Sequence, residues 1–426
     1  MLRRSLVLLA LALAGASCGG EVSSLPSVRV ASNVRVDAPS TASPSTASPS
    51  TASPSAAQPL ADDDVRWQDP VTELGQRALG LYLGASFVRR NGARGVIEEV
   101  HSAGMNAVVL DLKDSDGRVH HDTQVPELRA YRSGWLGDTA AVVRELREAG
   151  IYTIARITCF ADRSLPADAP ERAIVHTRRG TPWTSWGTGG TWLDPYNPEN
   201  HRVVVELSRE AQALGFDEVQ LDYVRFPVDD GIQYARYPAQ TEESHADVLM
   251  RLLRAVDEAI TLPLAVDVFG LAAYRRGDPS GLGQDLERWT RHVEVFTPML
   301  YINSMRAWNV DEPNRANTLI YGGVNTLRER IGPRPVIRPF LQAFSRGAGQ
   351  PFNTEFIRQQ IQGARRGRAD GFLFWHPGHN YGTVRRSMRS NSRALVPFPI
   401  ADEVLEARAA SERRTPAPVG AASRRD

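Results

Sequence analysis

Cysteine and lysine are nearly missing from this 426-residue chain: there are 2 Cys, and Lys113 is the only lysine among 50 Lys and Arg. Two thiols cannot build a disulfide framework, a four-cysteine zinc site or the ligand set of an iron–sulfur cluster. Excess charge is missing too. The 50 basic residues face 49 acidic ones, which leaves no polybasic field and excludes nucleic acid as a partner. Beyond the first 17 residues no apolar run approaches the ~18 residues of a transmembrane helix. What remains is 42% hydrophobic and 23% charged, the composition of a globular protein and not of a collagen, a coiled coil or a disordered chain.

The two ends differ from the middle. Arg3 and Arg4 followed by the apolar stretch Leu6 to Ala14 read as a signal peptide over residues 1–17. Gly15-Ala16-Ser17-Cys18 resembles a bacterial lipoprotein processing site, with Cys18 as the lipidated first residue, although Gly15 stands where Leu is usual. The competing reading is a plain secretory signal with a stray Cys. Residues 18–76 carry three copies of Thr-Ala-Ser-Pro-Ser, at Thr41, Thr46 and Thr51, and have little to bury, which predicts a disordered tether. The Ala/Arg/Pro-rich stretch 401–426 predicts a flexible tail. Together the ends place the folded part outside the cytoplasm of a bacterium, touching the membrane through a lipid anchor only.

Between residues 77 and 400 an apolar run of strand length, a polar loop and a helical period recur. The strand candidates are Leu79–Leu83, Ala107–Leu112, Tyr152–Ile157, Glu218–Val224, Leu264–Phe269, Val293–Leu300, Val336–Leu341 and Gly371–Trp375. Their Val, Ile, Leu and aromatic content suits strands buried on both faces of a parallel sheet. Ala103-Gly104, Ala149-Gly150 and Leu214-Gly215 mark helix ends, glycine being the usual left-handed C-cap residue. Eight such units predict an α/β fold, a (β/α)8 TIM barrel. A doubly wound open sheet is the runner-up, but the first strand–helix turn lacks Gly-x-Gly-x-x-Gly.

In such a barrel the functional face lies at the C-terminal strand ends. Period-two alternation there puts Asp111 with Lys113, Arg156 with Thr158 and Gln220 with Asp222; the later strands offer Asp267, Tyr301, Arg338, Gln342 and His376. Each of these polar residues has a purely structural reading as a salt-bridged core group, Asp111 with Lys113 or Asp222 with Arg156. Three carboxylates at three strand ends are harder to explain by packing. Glycoside hydrolysis needs two carboxyl groups about one bond, and Asp222 and Asp267 end adjacent strands. Tyr223 and Arg225 flank Asp222 and favour its ionised form. Asp267 lies among Val266, Val268 and Phe269, which favours the proton-bearing acid. Asp111, Lys113 and Asp114 are candidates for binding substrate hydroxyls. The long loop from Ala161 to Trp192 carries Trp183, Trp186 and Trp192 among glycines. Its indoles either stack on sugar rings or seal the loop onto the barrel. No His-x-His stands on the first strand, His376-Pro377-Gly378-His379 is a turn, and neither metal nor organic cofactor is called for. Cys159 reads as a small buried hydrophobe, and Gly322-Gly323 is only a weak phosphate-site signal.

The residues then look familiar. Val109-Leu110-Asp111-Leu112-Lys113-Asp114, Ala155-Arg156, Trp192-Leu193-Asp194-Pro195-Tyr196 and Phe216-Asp217-Glu218-Val219-Gln220-Leu221-Asp222-Tyr223-Val224-Arg225-Phe226-Pro227 occur in order. Asp267-Val268-Phe269-Gly270, Thr297-Pro298-Met299-Leu300-Tyr301, Arg338-Pro339-Phe340-Leu341-Gln342 and Phe374-Trp375 follow. Over residues 77–385 this series resembles a bacterial family of TIM-barrel glycoside hydrolases defined largely by sequence. The resemblance implies Asp222 as nucleophile. That role carries over to Asp222 alone; Asp111, Lys113, Asp114, Arg156, Trp192, Asp194, Tyr223, Arg225, Tyr301, Arg338, Gln342 and Trp375 are the expected substrate-binding set, with a polysaccharide as the partner. Ile302-Asn303-Ser304-Met305 stands where the family tends to have Pro-Ser-His-Tyr, which removes a rim histidine. A non-catalytic glycan-binding or envelope scaffold on the same barrel is the rival reading.

Overall fold

The computed structural model describes residues 71–185, 190–278, 281–305, 310, 314–347 and 349–395. The expected signal peptide, Cys18, the linker up to residue 70, Trp186 and the tail lie outside the described residues.

Eight strand positions are filled in chain order: β1 (Leu79–Tyr82), β2 (Ala107–Lys113), β3 (Tyr152–Thr158), β4 (Glu218–Asp222), β5 (Leu264–Val268), β6 (Val295–Pro298), β7 in two pieces (Val336–Ile337 and Phe340–Gln342) and β8 (Phe372–Trp375). Neighbours pair in parallel, β8–β1–β2–β3–β4–β5–β6, with the first piece of β7 beside β6 and the second beside β8. Pro339 has no N–H to give the ladder, and the strand breaks there. The hydrogen bonds nevertheless run through: Arg338 N–H donates to the Phe296 carbonyl, Leu300 N–H to that of Phe340, and Leu373 N–H to that of Pro339. The sheet therefore closes on itself as an eight-stranded α/β barrel of the TIM type.

Helices cover the outside: α1 (Ala85–Ser102), α2 (Thr139–Glu148), α3 (Pro198–Ala213), α4 (His245–Asp257), α5 (Leu286–Trp289), α6 (Arg315–Ile331), α7 (Thr354–Arg366) and α8 (Gly382–Leu395). Three of them stop at the expected glycines. Gly104, Gly150 and Gly215 take φ of 70°, 76° and 86°. In each case the next, apolar residue (Met105, Ile151 or Phe216) returns its N–H to the last helical turn, and the chain is turned into the following strand.

The interior of the barrel is divided. Val109, Ile154, Phe340 and Leu373 pack one side of it with Tyr152 and Tyr301. Alternation along β4 sends Val219 and Leu221 outward to the apolar layer shared with Val203 and Leu207 of α3. The same alternation sends Glu218, Gln220 and Asp222 inward as a polar column. At its foot the Glu218 carboxylate receives Arg338 Nη1 at 2.8 Å and the Tyr152 hydroxyl at 3.1 Å, both charged side chains being fully buried. Gln220 donates to Thr297 Oγ1 at 3.3 Å in the middle.

A second buried carboxyl lies at the same end of the barrel. Glu294, just before β6, accepts the Leu264 N–H at 2.9 Å, and burial pushes its pKa up to about 8. The folded state holds a proton that the unfolded chain releases near 4.5, so stability is lost as pH rises from about 4.5 to about 8. Glu294→Gln removes that titration while keeping an acceptor for Leu264. Denaturant titrations should show the variant gaining on the wild type by on the order of 3 kcal/mol between pH 5 and pH 8. An equal difference at both pH values would show that Glu294 does not titrate in this range.

Candidate active site

Arg156, near the end of β3, organises the C-terminal mouth of the barrel. Its Nη1 donates to Asp111 Oδ1 at 2.5 Å, and its Nε and Nη2 both donate to Asp222 Oδ2, Nε at 3.1 Å. The register explains the meeting: Asp111 and Arg156 are Cα partners across β2–β3, and Thr158 and Asp222 are partners across β3–β4. Asp222 Oδ1 accepts the Tyr223 N–H at 2.6 Å, and Tyr223 adopts φ 51°, an uncommon conformation for a bulky residue. Both oxygens of Asp222 are thus acceptors. Asp111 is filled as well, because Tyr82 at the end of β1 donates its hydroxyl to Oδ2 at 2.5 Å.

Asp267, on β5, completes the group. Its Oδ2 is 3.9 Å from the Arg156 Nε that is 3.1 Å from Asp222 Oδ2, so the two carboxyl oxygens are no more than 7.0 Å apart, the sum of those distances. That bound admits the separation of about 5–5.5 Å at which two carboxyl groups flank one glycosidic bond in retaining enzymes, and the lower end of the inverting range of about 6.5–9.5 Å. Burial, and then the charge of Asp222, push the Asp267 carboxyl well above the usual carboxylate range, against the opposing pull of Arg156. The surrounding contacts agree. The Thr297 hydroxyl is 2.5 Å from Asp267 Oδ1 and 2.7 Å from the Val266 carbonyl. It has one proton and the carbonyl has none, so a protonated Asp267 would let both contacts be made.

An aromatic wall borders these groups. Trp375 packs against Tyr82 at 6.3 Å, Tyr301 at 5.7 Å and Phe344 at 5.5 Å between ring centroids. Tyr82 and Trp375 are only partly buried and present ring surface to the mouth. Behind Tyr82, His379 Nε2 accepts the Gly84 N–H at 3.0 Å, and burial lowers its pKa to about 4; the imidazole is neutral.

The mouth therefore brings together Asp111, Arg156, Asp222, Asp267, Tyr301 and Trp375 of the residues named from sequence. The others sit elsewhere. Lys113 is buried, 2.8 Å from Asp162 and bonded to the Thr158 carbonyl. Asp114 receives the Asp116 and Arg118 amides and the His120 ring, which together hold its carboxyl low despite burial. Asp194 caps the Tyr196 and Ala239 amides inside the β3–α3 and β4–α4 loops. Arg338 reaches down to Glu218 at the opposite end of the barrel. Gln342 ties the Asn303 amide to the Phe344 carbonyl. Trp183 and Trp192 are buried, at 1% and 0% exposure, and seal the loop onto the barrel. Tyr223 and Arg225 lie beside Trp192 at the rim. Cys159 is buried beneath Asp222, and burial raises its thiol. Among the described residues no group of three or more His, Cys, Asp and Glu is disposed to hold a metal ion.

Two contributors escaped the sequence reading, Tyr82 and Thr297. Each stands at a strand end facing inward, and the alternation applied to Asp111 and Asp222 would have found them.

Residues 80–381 match the model of the family described as "Putative glycosyl hydrolase domain". No curated protein matches the sequence. Among solved structures, a hypothetical protein from Ruminiclostridium thermocellum ATCC 27405 shares 29% identity at a TM-score of 0.40, covering 44% of this chain and 97% of that one. The PgaB (BpsB) glycoside hydrolase domain from Bordetella bronchiseptica shares 18% identity at a TM-score of 0.52, covering 73% of this chain and 98% of its own, a likeness of fold. TtGalA, an alpha-galactosidase from Thermus thermophilus, shares 14% identity at a TM-score of 0.44 over 75% of this chain and 64% of its own. With the family model running from β1 to the start of the last helix, the chain belongs to this glycosyl hydrolase family.

Proposed function

We propose that the barrel hydrolyses glycosidic bonds of an extracytoplasmic polysaccharide by a two-carboxylate mechanism, with Asp267 as the acid and Asp222 as the nucleophile or base. One observation carries the reading: a carboxyl that burial and the charge of Asp222 drive toward its protonated form lies no more than 7.0 Å from one whose oxygens both accept. Asp267 gives its proton to the glycosidic oxygen as the C–O bond breaks. As it does so, Asp222 either takes a proton from the attacking water, or attacks the anomeric carbon to form a glycosyl ester that a water deprotonated by Asp267 then cleaves. Arg156 orients Asp222, and Asp111, held by Tyr82, orients Arg156. The partly buried Tyr82 and Trp375 rings offer apolar surface to the C–H face of a sugar. Neither step calls for a metal or organic cofactor.

A second reading has its own support. Arg156 occupies Asp222 Oδ2 with two N–H groups, as it would in a barrel that binds glycan without turning it over. Reducing-end release from a panel of bacterial and plant polysaccharides separates the two, with wild type and Asp222→Asn run side by side. Release by the wild type alone supports hydrolysis at Asp222. Release by both overturns that assignment, and glycan binding without release by either selects the scaffold.

The extracytoplasmic setting rests on the N-terminal sequence. Cys18→Ser is expected to shift the protein from the detergent phase to the aqueous phase in a partition experiment. Unchanged partition would exclude a lipid at Cys18.

A further inference from the structure

Arg225 is a cation with no anion beside it. It is 5% exposed and donates Nη1 to the Phe226 carbonyl at 3.1 Å. No carboxylate oxygen of the described residues comes within 4.0 Å of its guanidinium. Instead its guanidinium carbon lies 4.8 Å from the Trp192 ring centroid, 5.3 Å from that of Tyr223 and 5.5 Å from that of Phe269. Aromatic faces stabilise a cation but accept none of its N–H groups in its plane. Nε and Nη2 consequently keep their donors unused. Neither is sealed in the interior: the buried orphan polar atoms include Arg338 Nε, Trp192 Nε1 and both oxygens of Asp229, but no nitrogen of Arg225.

Asp229 makes the arrangement more telling. It stands four residues away in the same loop, fully buried and with neither oxygen hydrogen-bonded, yet it does not pair with Arg225. If neutralising a buried charge were the purpose of Arg225, this carboxylate would be the natural partner.

Location supplies the rest. Tyr223 follows Asp222 directly and Phe269 comes two residues after Asp267, so two walls of the box adjoin the proposed catalytic pair. The Arg156 fork is spent on Asp111 and Asp222. The mouth otherwise holds more carboxyl than guanidinium groups, a field that would repel an acidic sugar unless a cation met it.

We propose that Arg225 anchors a subsite for an oxyanion borne by the substrate glycan, a carboxylate, sulfate or phosphate ester received by the free Nε and Nη2 donors. The proposal deepens the hydrolase reading by naming the substrate class, an acidic polysaccharide, and it rests on that reading for the presence of a glycan in the cleft.

Binding tests it independently of turnover. Oligogalacturonate, dextran sulfate and poly(glycerol phosphate) represent the three anions, and unmodified dextran is the neutral control. Calorimetry at low and high salt would compare wild type, Arg225→Gln and Arg225→Lys. At least one anionic probe should bind the wild type about tenfold or more tighter than dextran, and high salt should erase that preference. Arg225→Gln should lose the preference and its salt dependence, while Arg225→Lys keeps the charge without the fork and retains part of the affinity. Wild-type affinity in Arg225→Gln, or no anionic preference in the wild type, overturns the proposal. Should Arg225→Gln fail to fold, equal affinity of Arg225→Lys and wild type for the favoured anion overturns the fork. Hydrolysis is read separately on the same samples. Anion binding without cleavage would sink the hydrolase reading alone, and cleavage of dextran without anion preference would sink the subsite alone.

Discussion

Asp222→Asn is expected to slow reducing-end release by about 10³- to 10⁴-fold with little change in melting temperature. The amide keeps the shape and one acceptor oxygen, but it cannot attack a sugar or take up a proton as a carboxylate does. Arg156 would still find that oxygen, so the mouth should keep its form and bind substrate near the wild-type affinity. The loss then falls in kcat and not in KM. Asp267→Asn gives a different pattern if Asp267 supplies the proton. Unactivated glycans need that proton and should suffer most, whereas aryl glycosides with acidic phenol leaving groups should retain much of their rate. The wild type should lose activity as pH rises through the elevated range of Asp267, because the acid must stay protonated. Equal losses on both substrate kinds would remove Asp267 from the acid role.

The other large effect concerns stability. Arg338→Met is expected to destabilise the fold by about 3–5 kcal/mol, the usual result of stranding one charge of a buried pair. Glu218 and Arg338 are both fully buried, and the Arg338 Nη2 group also satisfies the Gly75 carbonyl at 2.6 Å. Removing the cation leaves the Glu218 carboxylate with only the Tyr152 hydroxyl. The double variant Arg338→Met with Glu218→Gln should recover a large part of the loss, because no unpaired charge is left. Denaturant unfolding checks both. A single variant within 1 kcal/mol of wild type would mean that water reaches Glu218 and relieves it.

The fold was legible because a doubly buried parallel strand leaves a strong signal. Each of the eight apolar runs became a strand, and the glycines after three helices took the left-handed conformation they promised. Asp111, Arg156, Asp222 and Asp267 were legible for a related reason: strand alternation and the C-terminal rule place short polar residues well. Long side chains defeat the same logic. Arg338 stands beside the mouth in register, but its guanidinium extends to the far end of the barrel, and a face assignment says nothing of that reach. Lys113 fails differently. Alternation puts it with Asp111, but the β2–β3 register shifts between those two residues, and Lys113 turns to Asp162. Nor does the sequence choose between Arg156 and Arg225 as the partner of Asp222. That choice depends on the register of β3 against β4, which no local pattern encodes. The tryptophans were ambiguous from the start, since a glycine-rich loop can present an indole or fold it inward, and here Trp183 and Trp192 fold inward.

The broken seventh strand has one more consequence. A nine-piece parallel sheet left open would display two unpaired rows of N–H and C=O groups, each a template for adding a strand from another copy. Because the two pieces flanking Arg338-Pro339 share their hydrogen bonds between β6 and β8, the main sheet has no such rows. Closure at that seam protects the chain against edge-to-edge aggregation while sparing it the charged or bulged edge strands that open sheets rely on.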